Sequence, residues 1–386
     1  MGGAPIGGLY APVRDEAAAG TLAVAWDARI RAFDTAPHCG VGVSERRVGE
    51  FLAGHPRDEF TVCTKVGRRL VPATGDVQGE EGFYDIPPLT RVRDYSRDGV
   101  RRSLEESLGR LGLDRVDIAL IHDPDGFMEQ AAGEAYPALA ELRAQGTVRA
   151  IGAGMNSAVA LAWLAERCDL DCVLVAGRYT LLDQSAAEVL FPLCQRRGVA
   201  VLAAGVFNSG ILAGPGDGAT YDYAPAPPGL LARARRMRDA CASYGVPLPA
   251  AALQFTLRHP AVTAAVVGAR SAKEITADTS YLSTSIPHTL WTDLEGLLHL
   301  AGALDGDHGG VCGGSVLGRG WGDEGGVRNR SAGDGLAEFE AEPGQREVRQ
   351  QAPGDAFGGG LDQTELAVPQ HGRDGLRHRR VVERVG

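Results

Sequence analysis

The sequence predicts an α/β protein built as a TIM (β/α)8 barrel, and three observations lead there. Short β-rich runs alternate with amphipathic helical stretches from the start to about residue 285. The runs are apolar nearly throughout, as strands buried on both faces require, and so imply a parallel sheet covered by helices. Seven such units, plus a first strand near "GGAPIGG", make eight, the number that closes a barrel. An open doubly wound sheet would instead want a phosphate-binding Gly fingerprint after its first strand. "GGAPIGG" does not fit that fingerprint and does not run at once into a helix.

The elements follow in order. Strands are expected at "IRAFDT" (30–35), "EFTVCTKVG" (59–67), "VDIALIHD" (116–123), "VRAIGAG" (148–154), "DCVLVAG" (171–177), "VAVLAAG" (199–205) and "VTAAVVG" (262–268). Between them, residues 96–113 read as a helix with Ser96 as N-cap and Val100, Leu104 and Leu108 at helical spacing. Residues 135–146 give a second helical pattern. The chain starts inside its presumed first strand, so a truncated N-terminus is expected. From His299 the text turns Gly-rich, loses periodicity and has few large apolar residues, too little to offset the entropy of ordering. The expected domains are a barrel at 1–298 and a disordered tail at 299–386.

Composition narrows the class of partner. A net charge of -10 and a pI near 5.4 argue against nucleic acid or an anionic membrane. No apolar run approaches the roughly 18 residues that span a bilayer, and the first residues, "MGGAPIGGLYAPVRDE", lack the layout of a signal peptide. The seven cysteines are scattered, and none has partners at zinc-ligand spacing. The expectation is a cytoplasmic protein with reduced thiols and no metal, acting on a small molecule as a monomer or weak homo-oligomer.

In a barrel of this kind chemistry sits where strands end and loops begin. Those positions hold Asp34, Lys65 and His122. Each alone is an ordinary cap, rim charge or core-edge histidine. On consecutive strands of one barrel they become an acid–base set, because an Asp-Lys pair beside a neutral His can tune a proton donor toward neutral pH.

At this point the sequence resembles the aldo-keto reductases. "FDTAPHCGVGVSERRVG", "TKVGR", "LIHDPD", "GAGMNS" and "VVGARSAKE" fall in the family's order and spacing, over residues 1 to about 298. "AGRYTLLDQ" (176–184) and "FNSGIL" (207–212) point to its L-fucose or D-threo-aldose 1-dehydrogenase-like subgroup. The resemblance implies a barrel that binds NADP or NAD and moves a hydride between nicotinamide and a carbonyl or hydroxyl carbon. It assigns Asp34, Lys65 and His122 to three places of a catalytic tetrad. The fourth place, a tyrosine in "DTAPxYG", is held here by Cys39. A thiol beside a lysine ammonium is expected to have a lowered pKa, yet its sulfur ends short of where a phenolic oxygen would lie, so impaired catalysis is expected.

The same resemblance implies cofactor contacts at Met155, Asn156, Tyr179, Phe207, Asn208, Ser209 and Gly210. It adds Gly268, Ala269, Arg270, Ser271 and Glu274 at a helix N-terminus, whose free N–H groups and dipole favour phosphate. Asp278 stands where the family often has Asn. His38, Asp123 and Arg178 have the donors and acceptors a sugar needs. The expected function is oxidation of an aldose at C1 to a lactone, or reduction of an aldehyde. The alternative is a cofactor-binding sensor or interaction module with little turnover.

Overall fold

The computed structural model describes residues 1–299 and 365–369. Seven strands of the described residues run parallel in one sheet: β1 (Ala32–Asp34), β2 (Thr61–Val66), β5 (Val116–His122), β6 (Val148–Met155), β7 (Cys172–Ala176), β8 (Ala200–Ala204) and β11 (Val262–Val267). These are the seven runs predicted from sequence. Two short hairpins decorate the strand-to-helix loops, β3 (Arg68–Pro72) with β4 (Leu89–Arg93) and β9 (Thr220–Tyr221) with β10 (Ala224–Pro225).

The eighth strand differs from expectation. Of the N-terminal segment, Gly2 alone bridges the seam, pairing with Asp34 on one side and Gly268 on the other. Pro5–Gly7 then form a 3-10 turn rather than a strand. Proline fixes φ near the helical value and Gly8 closes the turn at φ 94°, so the extended path ends there. Of the tail expected to be disordered, Glu365–Pro369 form a strand, β12, which pairs antiparallel with β11. This five-residue segment, "ELAVP", can join a sheet edge that still offers free backbone groups. The remainder of the tail lies outside the described residues.

Helices cover the barrel: α1 (Asp15–Asp27), α2 (Val43–Leu52), α3 (Arg97–Leu111), α4 (Met128–Gln130), α5 (Tyr136–Ala144), α6 (Ala158–Arg167), α7 (Ser185–Arg197), α8 (Pro228–Ser243), α9 (Leu248–Leu257), α10 (Ala272–Ser283) and α11 (His288–His299). In α3 the predicted cap is present, the Ser96 hydroxyl accepting from Gly99 N–H. Among the described residues no helix is long and apolar enough to cross a membrane.

Strand residues divide by parity between two cores. Val62, Ala119, Ile121, Val173, Val175, Val201, Ala203 and Val267 face outward into the helix layer. Cys63, Ile118, Leu120, Cys172, Leu174, Ala204 and Val266 fill the barrel. Side chains along a strand alternate faces, so the parity of Cys63 carries Lys65 inward and that of Leu120 carries His122 inward. Phe33 faces out, which turns Asp34 in. Period-two geometry thus gathers three residues far apart in sequence on the inner face, at the C-terminal ends of their strands.

Candidate active site

Asp34, at the end of β1, and Lys65, near the end of β2, form a two-pronged ion pair. The ammonium lies 2.8 Å from both carboxylate oxygens and donates at 3.1 Å to the Thr35 carbonyl. Burial works against the ammonium, but the Asp34 charge outweighs it, and Lys65 stays protonated beyond the ordinary lysine range. His122 ends β5 on the same face. Burial, then the Arg68 and Lys65 cations, hold its imidazole well below the ordinary histidine value, so the ring is neutral. The Tyr95 hydroxyl, 2.6 Å from the His122 carbonyl and 2.7 Å from that of Asp123, fixes this strand end.

Cys39 lies in the loop after β1, packed with Leu9, Ala36, Val41, Val77, Phe83 and Ile86. Gly40 shapes this turn: at φ 64°, a Cβ there would lie 2.1 Å from the Gly7 carbonyl oxygen. The expectation of a lowered thiol pKa is overturned. Burial pushes the Cys39 thiol up to about 12, and the Lys65 charge recovers only part of that. An apolar wall solvates thiolate too poorly for a nearby ammonium to compensate. The thiol is therefore neutral and is not a base at physiological pH.

The expected substrate residues divide. His38 and Asp123 join His122 in one cluster: the two imidazoles meet edge to face with centroids 5.5 Å apart, and Asp123 Oδ2 lies 3.4 Å from His122 Nε2. Arg178 instead spends its guanidinium on Asp222, at 2.7 and 3.1 Å.

Sequence reading missed a charged wall around the cluster, built by β3, β4 and the loop between them. Arg68 Nη2 donates to Asp123 Oδ2 at 2.7 Å, and its Nη1 lies 3.2 Å from His38 Nδ1. Glu81 Oε2 is 3.0 Å from the same Nδ1. Arg91 Nη2 donates to the His38 carbonyl at 2.9 Å, and Arg91 sits over the Phe83 ring. The His38–Glu81 bond, with help from Arg68 and Arg91, holds the Glu81 carboxyl down to about 2. His38 itself falls to about 4, because burial and the two arginines outweigh Glu81. A neutral imidazole donating Nδ1–H to the Glu81 carboxylate satisfies both residues. The available signal was the alternation in "RRLVP" and "LTRVR", two period-two runs on either side of a Gly-, Asp- and Pro-containing loop.

The expected cofactor residues also divide. The Met155 side chain packs in the outer core. Tyr179 stacks on Phe255 and meets Phe191 and His259. Asn156 is exposed just after β6. Phe207 is buried, while Asn208, Ser209 and Gly210 follow as three consecutive left-handed residues. Asn208 is tied to Thr180 and, through Nδ2, to the Gly177 carbonyl. Ser209 Oγ accepts from Tyr223 N–H. Gly268 and Ala269 lead from β11 into α10, which Ser271 caps by accepting from Glu274 N–H. Glu274 Oε2 in turn accepts from Arg270 N–H at 2.8 Å, so its carboxylate is a helix cap rather than a free contact. Asp278 is buried one turn further along α10.

Comparison with known proteins agrees with this geometry. The sequence profile of the Aldo/keto reductase family matches residues 1–298. A D-threo-aldose 1-dehydrogenase from a Pseudomonas species is 42% identical over 300 residues, covering 76% of this chain and 91% of the relative. Pyridoxal 4-dehydrogenase from Microbacterium luteolum is 41% identical over 321 residues, covering 77% and 93%. Among solved structures, a glycerol dehydrogenase from Gluconobacter oxydans superposes with a TM-score of 0.61 at 22% identity over 81% of this chain and 94% of that one, a likeness of fold. With this match over its first 298 residues and a barrel that brings Asp34, Lys65 and His122 together, the chain belongs to the aldo/keto reductase family and is an oxidoreductase.

Proposed function

We propose that the chain is an NAD(P)-dependent oxidoreductase that oxidises an aldose at C1 to the lactone, or reduces an aldehyde, with proton transfer slowed by Cys39. The observation carrying this reading is the largely buried Asp34–Lys65 pair on the same inner face as a neutral His122, with a neutral thiol at the fourth place. Lys65 supplies positive charge to the oxygen undergoing change, and the His122 imidazole is a neutral hydrogen-bonding group beside it. Two relatives support the substrate class by name, one an aldose and the other a pyridoxal dehydrogenase. The charges of the cluster support it independently. Lys65 is matched by Asp34, Arg68 by Asp123, and Arg91 by Glu80 and Glu81. With its cations matched, the cluster suits a neutral hydroxylated molecule better than a carboxylate.

The residues present fit a dinucleotide at the N-terminus of α10. Although the Glu274 N–H already donates to Ser271, the positive dipole end and the first-turn backbone of α10 favour phosphate. Gly268, Arg270 and Ser271 would hold the phosphates, with Asn156 and the Phe207–Gly210 turn alongside. A bound nicotinamide would supply the hydride acceptor or donor. In this reading residues 1–298 carry the reaction, residues 299–386 are an appendage, and the setting is cytoplasmic, in keeping with six described cysteines that are free. The second reading, a cofactor-binding module with little turnover, draws on the inert Cys39 thiol. Fluorescence titration with NADPH and NADH, followed by an aldose oxidation assay, separates them. Binding with turnover supports the enzyme, binding without turnover the module, and no binding refutes both.

A further inference from the structure

Arg68 enters the cluster from the first position of β3, directly after Gly67. Gly67 has φ 100°, and a Cβ there would lie 2.2 Å from the Tyr95 ring, so this close turn aims the arginine at the strand ends. Its two arms reach different partners. Nη2 lies 2.7 Å from Asp123 Oδ2, the oxygen that stands 3.4 Å from His122 Nε2. Nη1 lies 3.2 Å from His38 Nδ1 and 3.5 Å from Glu81 Oε2. Asp123 is left-handed at φ 41°, a region a non-glycine residue occupies more readily where its surroundings hold it there. The Arg68 ion pair is one such restraint, and the Asp123 N–H bond to the Gly154 carbonyl at 3.0 Å is another.

We propose that Arg68 is the positioning residue of this site: one arm holds Asp123 against His122 and the other holds Glu81 against His38, so that both imidazoles keep a fixed orientation and tautomer. The Asp123 carboxylate, 3.4 Å from Nε2, favours the proton on that nitrogen of His122 by its charge, leaving Nδ1, which is buried without a hydrogen-bond partner, as an acceptor. Glu81, to which Arg68 Nη1 donates at 3.5 Å, lies 3.0 Å from His38 Nδ1 and draws the proton to that nitrogen, outweighing the Arg68 N–H that also faces it at 3.2 Å. The groups facing these rings are Lys65 from β2, Arg68 from β3, Arg91 from β4, Glu81 from the loop between β3 and β4, and Asp123 itself. Arg68 ranks first among the charges that keep His122 neutral and first among those that keep His38 neutral. It also neutralises Asp123, the carboxylate that would otherwise draw a proton onto His122. The role of this tautomer pair in catalysis rests on the oxidoreductase reading, whereas the pair itself does not.

The test is nitrogen-15 NMR of the imidazoles in the full-length protein, with no substrate or cofactor added, as a function of pH. In the native chain both rings are expected to stay neutral through pH 7 to 6, with His38 titrating near 4 and His122 carrying its proton on Nε2. Arg68→Gln is expected to raise both titrations toward the ordinary histidine value. Arg68→Lys keeps the charge and loses the fork, so the rings are expected to stay neutral while the tautomers become mixed. Asp123→Asn is expected to disturb the His122 tautomer and leave that of His38 intact. Native titrations and tautomers in a folded Arg68→Gln protein would overturn the proposal. Should that variant fail to fold, native tautomers in Arg68→Lys overturn it instead. An Arg68-dependent pair of rings in a protein without turnover would sink the oxidoreductase reading alone.

Discussion

Replacing Cys39 tests the inert-thiol conclusion most directly. The thiol is raised from an ordinary 9.0 to about 12, three pKa units, by burial. That is about a 10³-fold smaller thiolate population than for an ordinary cysteine, or about 4 kcal/mol. At pH 7 a pKa of 12 leaves about one thiolate in 10⁵, so using it as a base would cost about 7 kcal/mol. A positioned acid–base group is worth roughly 10²–10⁴-fold, and this thiol cannot supply it. Cys39→Ser is therefore expected to leave turnover unchanged, while Cys39→Tyr should raise it by roughly 10²-fold or more by placing a phenol beside Lys65. The added ring must clear Ala36, Val41 and Phe83, and overpacking of that kind typically costs about 1–3 kcal/mol in stability. Nicotinamide absorbance with an aldose substrate measures the rate. Iodoacetamide labelling of Cys39, followed by mass spectrometry from pH 7 to 10, reads the thiol without reference to activity. Fast labelling of Cys39 at pH 7, or loss of activity in Cys39→Ser together with a flat Cys39→Tyr, would refute the argument.

Three further outcomes follow from the same geometry. Lys65→Met leaves the partly buried Asp34 without its partner and should destabilise the fold, by at most about 3–5 kcal/mol in urea unfolding, with Asp34→Asn in the same chain recovering part of it. Because the folded Lys65 pKa is raised, its stabilisation is fully present below the unfolded lysine value and is lost only as pH rises through the folded one. His38 runs the other way: its folded value of about 4 lies below the ordinary 6.5, so stability should fall as pH drops from 6.5 to 4, by about 3 kcal/mol, and His38→Gln should flatten that segment of the acid unfolding curve. Tyr95→Phe removes the hydroxyl that holds the His122 and Asp123 carbonyls, and should cost about 1–3 kcal/mol in thermal unfolding, since those acceptors lose a buried donor.

By itself the sequence determined the barrel and the meeting of Asp34, Lys65 and His122 on its inner face. Apolar runs such as "VDIALIHD" identify strands locally, and period-two alternation then dictates that Lys65 shares a face with Cys63 and His122 with Leu120. Helix caps were equally legible, because the Ser96 hydroxyl and the Gly99 N–H that donates to it lie three residues apart. What the sequence could not carry were energies summed over distant neighbours. "DTAPHCG" places a cysteine near a lysine, but only the packed structure shows it buried in one apolar cluster with Leu9, Val77 and Phe83, so that burial outweighs the lysine charge. The first strand failed to form as expected because Pro5 and Gly8 turn the chain locally, a competition that apolar composition does not report. Arg68, Glu81 and Arg91 come from a hairpin whose own sequence reads as exposed charge. Their place around His38 and His122 was decided by the Gly67–Tyr95 contact and by ion pairs spanning up to 55 positions.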